Sequence, residues 1–183
     1  MQNVNIKIFV AKGISPRFAD AIPIFHRWIQ SRDLPEMLID VADYSHVPEG
    51  PGVVLIGHEA NYALDNAHNR PGLLYSRKAA TDAAPSESLK QAYDAALTAS
   101  LRMESEPEFQ GNLHFDPTNL EITLNDRLLY PNTDAGWSGV EPALKAFLDA
   151  LYGAGSYSLT RPSDARERLS VLVAAGSSLL SLT

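Results

Sequence analysis

The sequence contains no cysteine, which excludes disulfides, a thiolate nucleophile and any zinc or iron–sulfur site held by sulfur. It has no GxxxxGKS/T or GxGxxG loop to cradle a nucleotide phosphate, and no GxSxG nucleophile elbow. No window approaches 18 apolar residues. The opening, MQNVNIKIFVAKG, lacks the basic region, long apolar stretch and small-residue cleavage site of a secretory signal. It reads as a first strand, and the chain as a cytoplasmic protein with no membrane partner. Positive charge is scarce: 15 Lys and Arg against 22 Asp and Glu give a net charge of −7. Such a surface repels a phosphate backbone, so no nucleic-acid partner is expected. The tightest basic group, Arg161, Arg166 and Arg168, is interrupted by Asp164 and Glu167.

What is present is ordinary globular material. Of 183 residues, 45% are hydrophobic and 20% charged, enough for a single domain whose core needs no staples. Val4 to Val10 alternates, with Val4, Ile6, Ile8 and Val10 on one face and Asn5, Lys7 and Phe9 on the other, as in a half-buried strand. Ser15-Pro16 opens a helix with the stripe Phe18, Ile22, Phe25 and Ile29; Pro23 belongs near the start of its main part, after a short turn. Met37 to Tyr44 is a second strand, VPEGPG (47–52) a turn, and Val53 to Ile56 an apolar strand central in a sheet. Residues 57–66 read as that strand continuing into a hairpin closed by NAHNRPG, with Leu73 to Lys78 returning; a helix stopping before Pro71 is the alternative. An amphipathic helix covers 86–105.

The second half reads as a meander: Leu113 to Phe115, the turn DPTN (116–119), the alternating Leu120, Ile122 and Leu124, a turn at Asn125-Asp126, then Leu128 to Tyr130. A helix follows with Val140, Leu144, Phe147, Leu148 and Leu151 inward and Gly153 as its stop. Strands at 156–160 and 169–174 close the domain, and SSLLSLT is a tail or an edge segment.

These elements give an α+β fold, an antiparallel sheet with helices on one face. Segments 4–57 and 120–175 share the order strand, helix, strand, turn, strand. Pro23, Phe25 to Ile29 and Val53 to Ile56 correspond to Pro142, Leu144 to Leu148 and Val171 to Ala174. Two tandem β-α-β-β units are the expected organisation, with pseudo-repeat halves at about 1–80 and 111–176 joined by helix 86–105. This order of elements resembles the double β-α-β-β folds of GyrI-like small-molecule-binding proteins, and the resemblance implies a ligand cleft between the halves.

Polar chemistry is densest between Asp40 and Arg70, which hold three of the five histidines. HEANY (58–62) has a tyrosine where the zinc-protease motif HExxH needs its second histidine, so no metal is expected there. On the strand reading His58 shares a face with Val54, Ile56 and Tyr62, while Glu59 and Asn61 face the other way. Gly57 before it would allow a bulge or a close backbone approach, either of which can re-aim the side chain. Asp40, Tyr44 and His46 project from one face of the neighbouring strand, so Asp40 could meet His58 or Glu59. Tyr44, His46, His58, Glu59, Asn61 and Tyr62 are therefore the expected ligand-binding residues. The expected function is a small-molecule-binding or protein-interaction domain with its cleft beside 53–62, and no cofactor. The alternative is a hydrolase or isomerase using Asp40, His58 and Glu59 as acid–base or metal-binding groups. An open sheet face or edge also makes a homodimer an expected assembly. Asn125, Asp126, Arg127 and Arg161 form a weaker cluster, and Trp28 and Trp137 read as packing anchors.

Overall fold

Eight strands form one antiparallel sheet in the computed structural model, which describes residue 1 and residues 3–32, 34–162 and 164–176. The SSLLSLT segment lies outside the described residues. In chain order the strands are β1 (Val4–Val10), β2 (Leu38–Tyr44), β3 (Gly52–Gly57), β4 (Ala60–Asp65), β5 (Gly72–Arg77), β6 (Phe115–Leu124), β7 (Tyr157–Thr160) and β8 (Leu169–Ala175). Across the sheet they lie in the order β2-β3-β4-β5-β1-β6-β8-β7. Three helices, α1 (Ala21–Ser31), α2 (Pro85–Glu104) and α3 (Asp134–Tyr152), pack on it. The expected α+β class is the observed one.

The order β-α-β-β occurs as β1-α1-β2-β3 and again as β6-α3-β7-β8. β1 and β6 lie side by side and antiparallel, while β2 and β7 are the two outer strands. The first run differs by a hairpin, β4–β5, set between β3 and β1. Helix starts follow local chemistry. A 3-10 turn at Phe18–Asp20 precedes α1, so Ser15-Pro16 does not open the helix as expected. Pro23 sits in the first turn of α1, where a backbone N–H has no helical acceptor to lose. The Thr133 side chain accepts from Gly136 N at 3.1 Å to cap α3, and Gly153 at φ 90° ends it.

The core face carries Val4, Ile6, Ile8, Leu55, Leu64, Leu73, Ile122 and Val171, all buried in one cluster with Phe25, Trp28, Leu89, Tyr93, Leu144 and Leu148 from the helices. The two sequence-predicted anchors differ: Trp28 is fully buried, Trp137 only partly. Glu106, just after α2, ties α1 to it. Its carboxylate accepts from Trp28 Nε1 and from Arg27, each at 2.5 Å, satisfying an indole donor that burial would otherwise strand.

Three sequence expectations need correction. β1 is buried on both faces, not one, with Asn5 at 7% and Lys7 at 3% exposure. It lies near the middle of the sheet, and on the second face Lys7 is compensated by an ion pair with Asp65, while the Asn5 Oδ1 is buried without a hydrogen-bond partner among the described residues. DPTN does not end a strand, because β6 runs through it. Ile8 pairs with Leu120 but Val10 with Phe115, so β6 bulges outward between them. The turn chemistry survives inside that bulge, where Asp116 Oδ1 accepts from Thr118 N (3.0 Å) and Oγ1 (2.6 Å). Leu128 to Tyr130 is no strand. The Asp126 carboxylate takes the N–H groups of Leu128 and Leu129, both at 3.0 Å, and winds the segment into a turn with both leucines exposed.

Candidate functional site

The residues expected to form the site are spread over two ends and both faces of β2–β4. The β3–β4 hairpin turns at His58-Glu59 itself, one step after Gly57, so neither side chain lies on a strand face; both are exposed. Glu36 builds this turn. Its carboxylate accepts from Ala60 N at 2.9 Å and Glu59 N at 3.3 Å. A Cβ on Gly57 would stand 2.5 Å from that carboxylate, so Gly57 serves close packing and not a bulge. Lys78 Nζ caps the Gly57 carbonyl from the other side.

Asp40 is exposed on β2 opposite Ile56, and its carboxylate takes the N–H of its neighbour Val41 at 2.8 Å. Tyr44 and His46 lie at the far end of β2, where Tyr44 pairs with Gly52. Five strand steps separate that end from Gly57, about 17 Å. Tyr62 faces the core, edge-on to Tyr75 at 5.2 Å, with its phenol pushed far above its ordinary range by burial and by Glu36. Asn61 lies on the opposite face, between Ile56 and Ser76. Glu59 lines a small hollow of about 170 Å³ with Arg77 and Gln91. Among the described residues no hydrogen bond or ion pair joins Asp40, His58 and Glu59. Among the described residues no group of three or more His, Asp or Glu could hold a metal ion, and no helix is long and apolar enough to cross a membrane.

Polar side chains converge instead on the sheet face away from the helices. β1 supplies the floor through its second face. Lys7 reaches over β5 to an ion pair with Asp65 on β4, and Asp65 also accepts from Ala67 N at 3.1 Å. The crossing is possible because Gly72 lies between them. A Cβ there would meet the Lys7 stem at 2.9 Å and the Ile8 carbonyl at 2.7 Å. A row of short polar side chains, Asn61, Ser76, Asn5, Thr123 and Ser170, crosses five adjacent strands in direct register.

Over β6 and β8 this face deepens into a cleft of about 720 Å³. Glu121 and Thr123 from β6 and Ser170 and Leu172 from β8 are its base. Its walls are the β4–β5 loop with His68 and Arg70, the turn after β6 with Arg127, and the β7–β8 loop with Arg166, Glu167 and Arg168. Four of the chain's ten arginines line it. Their engagements differ. Arg166 forks onto Asp164, which holds that carboxyl below its ordinary value. Arg168 donates to the neutral Asn125 Oδ1 at 2.9 Å. Arg70 stacks on the Phe9 ring with its guanidinium carbon 3.8 Å from the centroid, which fixes its plane and leaves its donors open. Among the described residues Arg70, Arg127 and Arg168 have no carboxylate within ion-pair distance. Arg161, grouped with them by sequence, turns away to Asp134 at 2.5 Å.

The loop that presents His68 and Arg70 is itself costly. His68 and Asn69 both adopt left-handed backbone, at φ 59° and 54°, a conformation that costs a non-glycine residue of order 1 kcal/mol and gathers at functional sites. Sequence reading placed Arg70 at the margin of its polar segment and noted Arg127, Arg166 and Arg168 without joining them. The available signal was the polar alternate face of β1 and β6, Asn5 and Lys7 beside Glu121 and Thr123. Compared with known protein families, with curated proteins and with solved structures, the chain matches none.

Proposed function

We propose that this chain is a binding domain for a small anionic ligand, built of two β-α-β-β units, with its site in the arginine-lined cleft over β6 and β8. One observation carries the reading: three arginines without carboxylate partners face one cleft in a protein of net charge −7. Four arginines against Glu121 and Glu167 leave the cleft with an excess of positive charge that an anion relieves; guanidinium forks match carboxylate and phosphate oxygens. The volume, about 720 Å³, lies within the range of small-ligand sites. The element order shared with GyrI-like ligand-binding folds fits this reading, although the cleft lies on β6 and β8 and not beside 53–62.

The negative remainder of the surface favours a compact anion over an extended polyanion, whose distal charges would be repelled. The test is thermal unfolding with inorganic phosphate, sulfate and a panel of carboxylic and phosphorylated metabolites. A ligand at roughly 100 times its dissociation constant adds about 2.7 kcal/mol, or a rise of about 5–10 °C in a chain of this size. Arg127→Ala with Arg168→Ala should abolish the rise without lowering the melting temperature of the free protein. A rise that survives both substitutions places the ligand elsewhere and ends the proposal.

A further inference from the structure

We infer that the ligand is a polyhydroxylated anion, a sugar acid or sugar phosphate; this inference rests on the anion-binding reading of the cleft. The wall chemistry carries it. Beyond the arginines and His68, the lining side chains are mostly polar in type, with only Pro162 and Leu172 wholly apolar and no phenyl, phenol or indole ring. Sites for fatty acids, aromatic acids or nucleobases need continuous apolar or stacking walls to recover the cost of desolvation, and here the apolar surface is divided among Pro162, Leu172 and the stems of polar side chains. Its volume, about 720 Å³, is far more than a bare phosphate or sulfate fills, so the rest of the ligand must be polar too.

The base of the cleft supplies matching groups. Glu121 and Glu167 have no ion-pair partner within the described residues, and a carboxylate beside an anion site is repulsive unless the ligand brings donors to it. Glu121 stands across from Lys7, but Lys7 is committed to Asp65. Thr123 and Ser170, paired across β6 and β8, present hydroxyls that both donate and accept. Glu121, Thr123 and Ser170 thus lie about 5–8 Å apart on adjacent strands, close enough for their side chains to reach different hydroxyls of one sugar. Hydroxyls suit this mixed set better than an ammonium group, which can only donate.

Titration calorimetry with the intact chain separates the possibilities, using glucose 6-phosphate, glucuronate, inorganic phosphate, glucose, phenyl phosphate and glutamate as probes. Glucose 6-phosphate or glucuronate should bind roughly tenfold or more tighter than inorganic phosphate and than glucose, the value of one charge-assisted hydrogen bond. Ser170→Ala should weaken that ligand severalfold with phosphate affinity unchanged, Glu121→Gln should cut its preference over inorganic phosphate severalfold while phosphate itself binds no more weakly, and Arg127→Ala should weaken both. Phenyl phosphate or glutamate binding as tightly as the sugar derivatives overturns the polyol assignment, as does indifference to Glu121→Gln. In those cases anion binding itself still stands. If none of the anions binds, the cleft reading falls and takes this inference with it.

Discussion

The ion pair between Lys7 and Asp65 lies beside the cleft, on β1 and β4, with each side chain 4% exposed, and its removal can be worked through quantitatively. Burial costs each charge its hydration, and the partner's field restores it only while both are present. Asp65→Leu leaves an ammonium group with no counter-charge, facing the Ala67 carbonyl 3.5 Å away and the Phe9 ring with its centroid at 5.4 Å. Lys7→Met leaves a carboxylate with the Ala67 N–H. Each single change should cost about 3–5 kcal/mol, against a total stability of about 5–15 kcal/mol for a domain. With a urea slope of about 2 kcal/mol/M, the midpoint should fall by roughly 1.5–2.5 M. The double variant, in which neither charge remains, should return to within about 1 kcal/mol of the parent, so the cycle should show strong coupling. The assay is urea unfolding followed by tryptophan fluorescence and circular dichroism at low and high salt. Both singles should keep their cost at 1 M salt, because a buried pair is little screened. Single substitutions costing under 1 kcal/mol, or a double variant equal to the sum of the singles, would refute the reasoning.

Three further outcomes follow from the same structure. Gly72→Ala should destabilise by about 1–3 kcal/mol, since its methyl meets the Lys7 stem and a backbone carbonyl together; in the Lys7→Met background the cost should shrink, and an equal cost in both would show that Lys7 does not need the gap. His58→Ala should change the free energy of unfolding by no more than about 0.5 kcal/mol and leave anion binding intact, because the side chain is exposed at a hairpin turn; loss of binding would return it to the site. Stability should fall as pH rises above 10. Burial pushes Tyr93 up to about 12, burial and Asp149 push Tyr157 up to about 12, and burial drives Tyr62 and Tyr152 higher still. An unfolded phenol ionises near pH 10, so the protonated form these sites favour stabilises the fold fully below 10 and progressively less through 12. Equal melting temperatures at pH 9 and 11 would contradict this.

The fold was legible where periodicity and end signals agreed. Val53 to Ile56, the stripe of α2 and the Gly153 stop depend on local patterning that burial then reinforces. The misreadings occurred where local turn chemistry and sheet pairing compete. DPTN has every residue of a turn, yet Leu120, Ile122 and Leu124 and then Phe115 all pair with β1, and the chain satisfies both demands by bulging. The reverse holds at Leu128 to Tyr130, where a short apolar run lost to the carboxylate of Asp126. His58 was misplaced because a one-residue difference in where a hairpin turns moves every later side chain to the other face. Part of that register is held by Glu36, 24 residues before Ala60, whose role no window around the hairpin could reveal. The cleft was hidden for a similar reason. Arg70, Arg127 and Arg168 are far apart in sequence, and only the placement of β1 beside β6, and of β8 beside β6, brings their loops together.

Charge separation along the chain explains why the cleft can be cationic in an acidic protein. Between residues 33 and 69 there are seven acidic residues and no lysine or arginine. This segment forms β2, β3 and β4 at one side of the sheet. There acids do edge work: Asp40 covers the Val41 N–H, Asp43 the Ser45 N–H, and a bulge between Leu38 and Asp40 breaks the regular ladder. Charges and bulges of this kind blunt strand addition. The arginines gather over the opposite half, beyond β1, several strand spacings of about 4.8 Å from that acidic edge. At physiological salt this distance exceeds the screening length of about 8 Å. The local field of the cleft is therefore set by its own arginines and two glutamates, and not by the net charge of −7. The inserted β4–β5 hairpin contributes twice to this arrangement. It moves the acidic strands away from the centre, and its loop carries Arg70 back over Phe9 to the cleft.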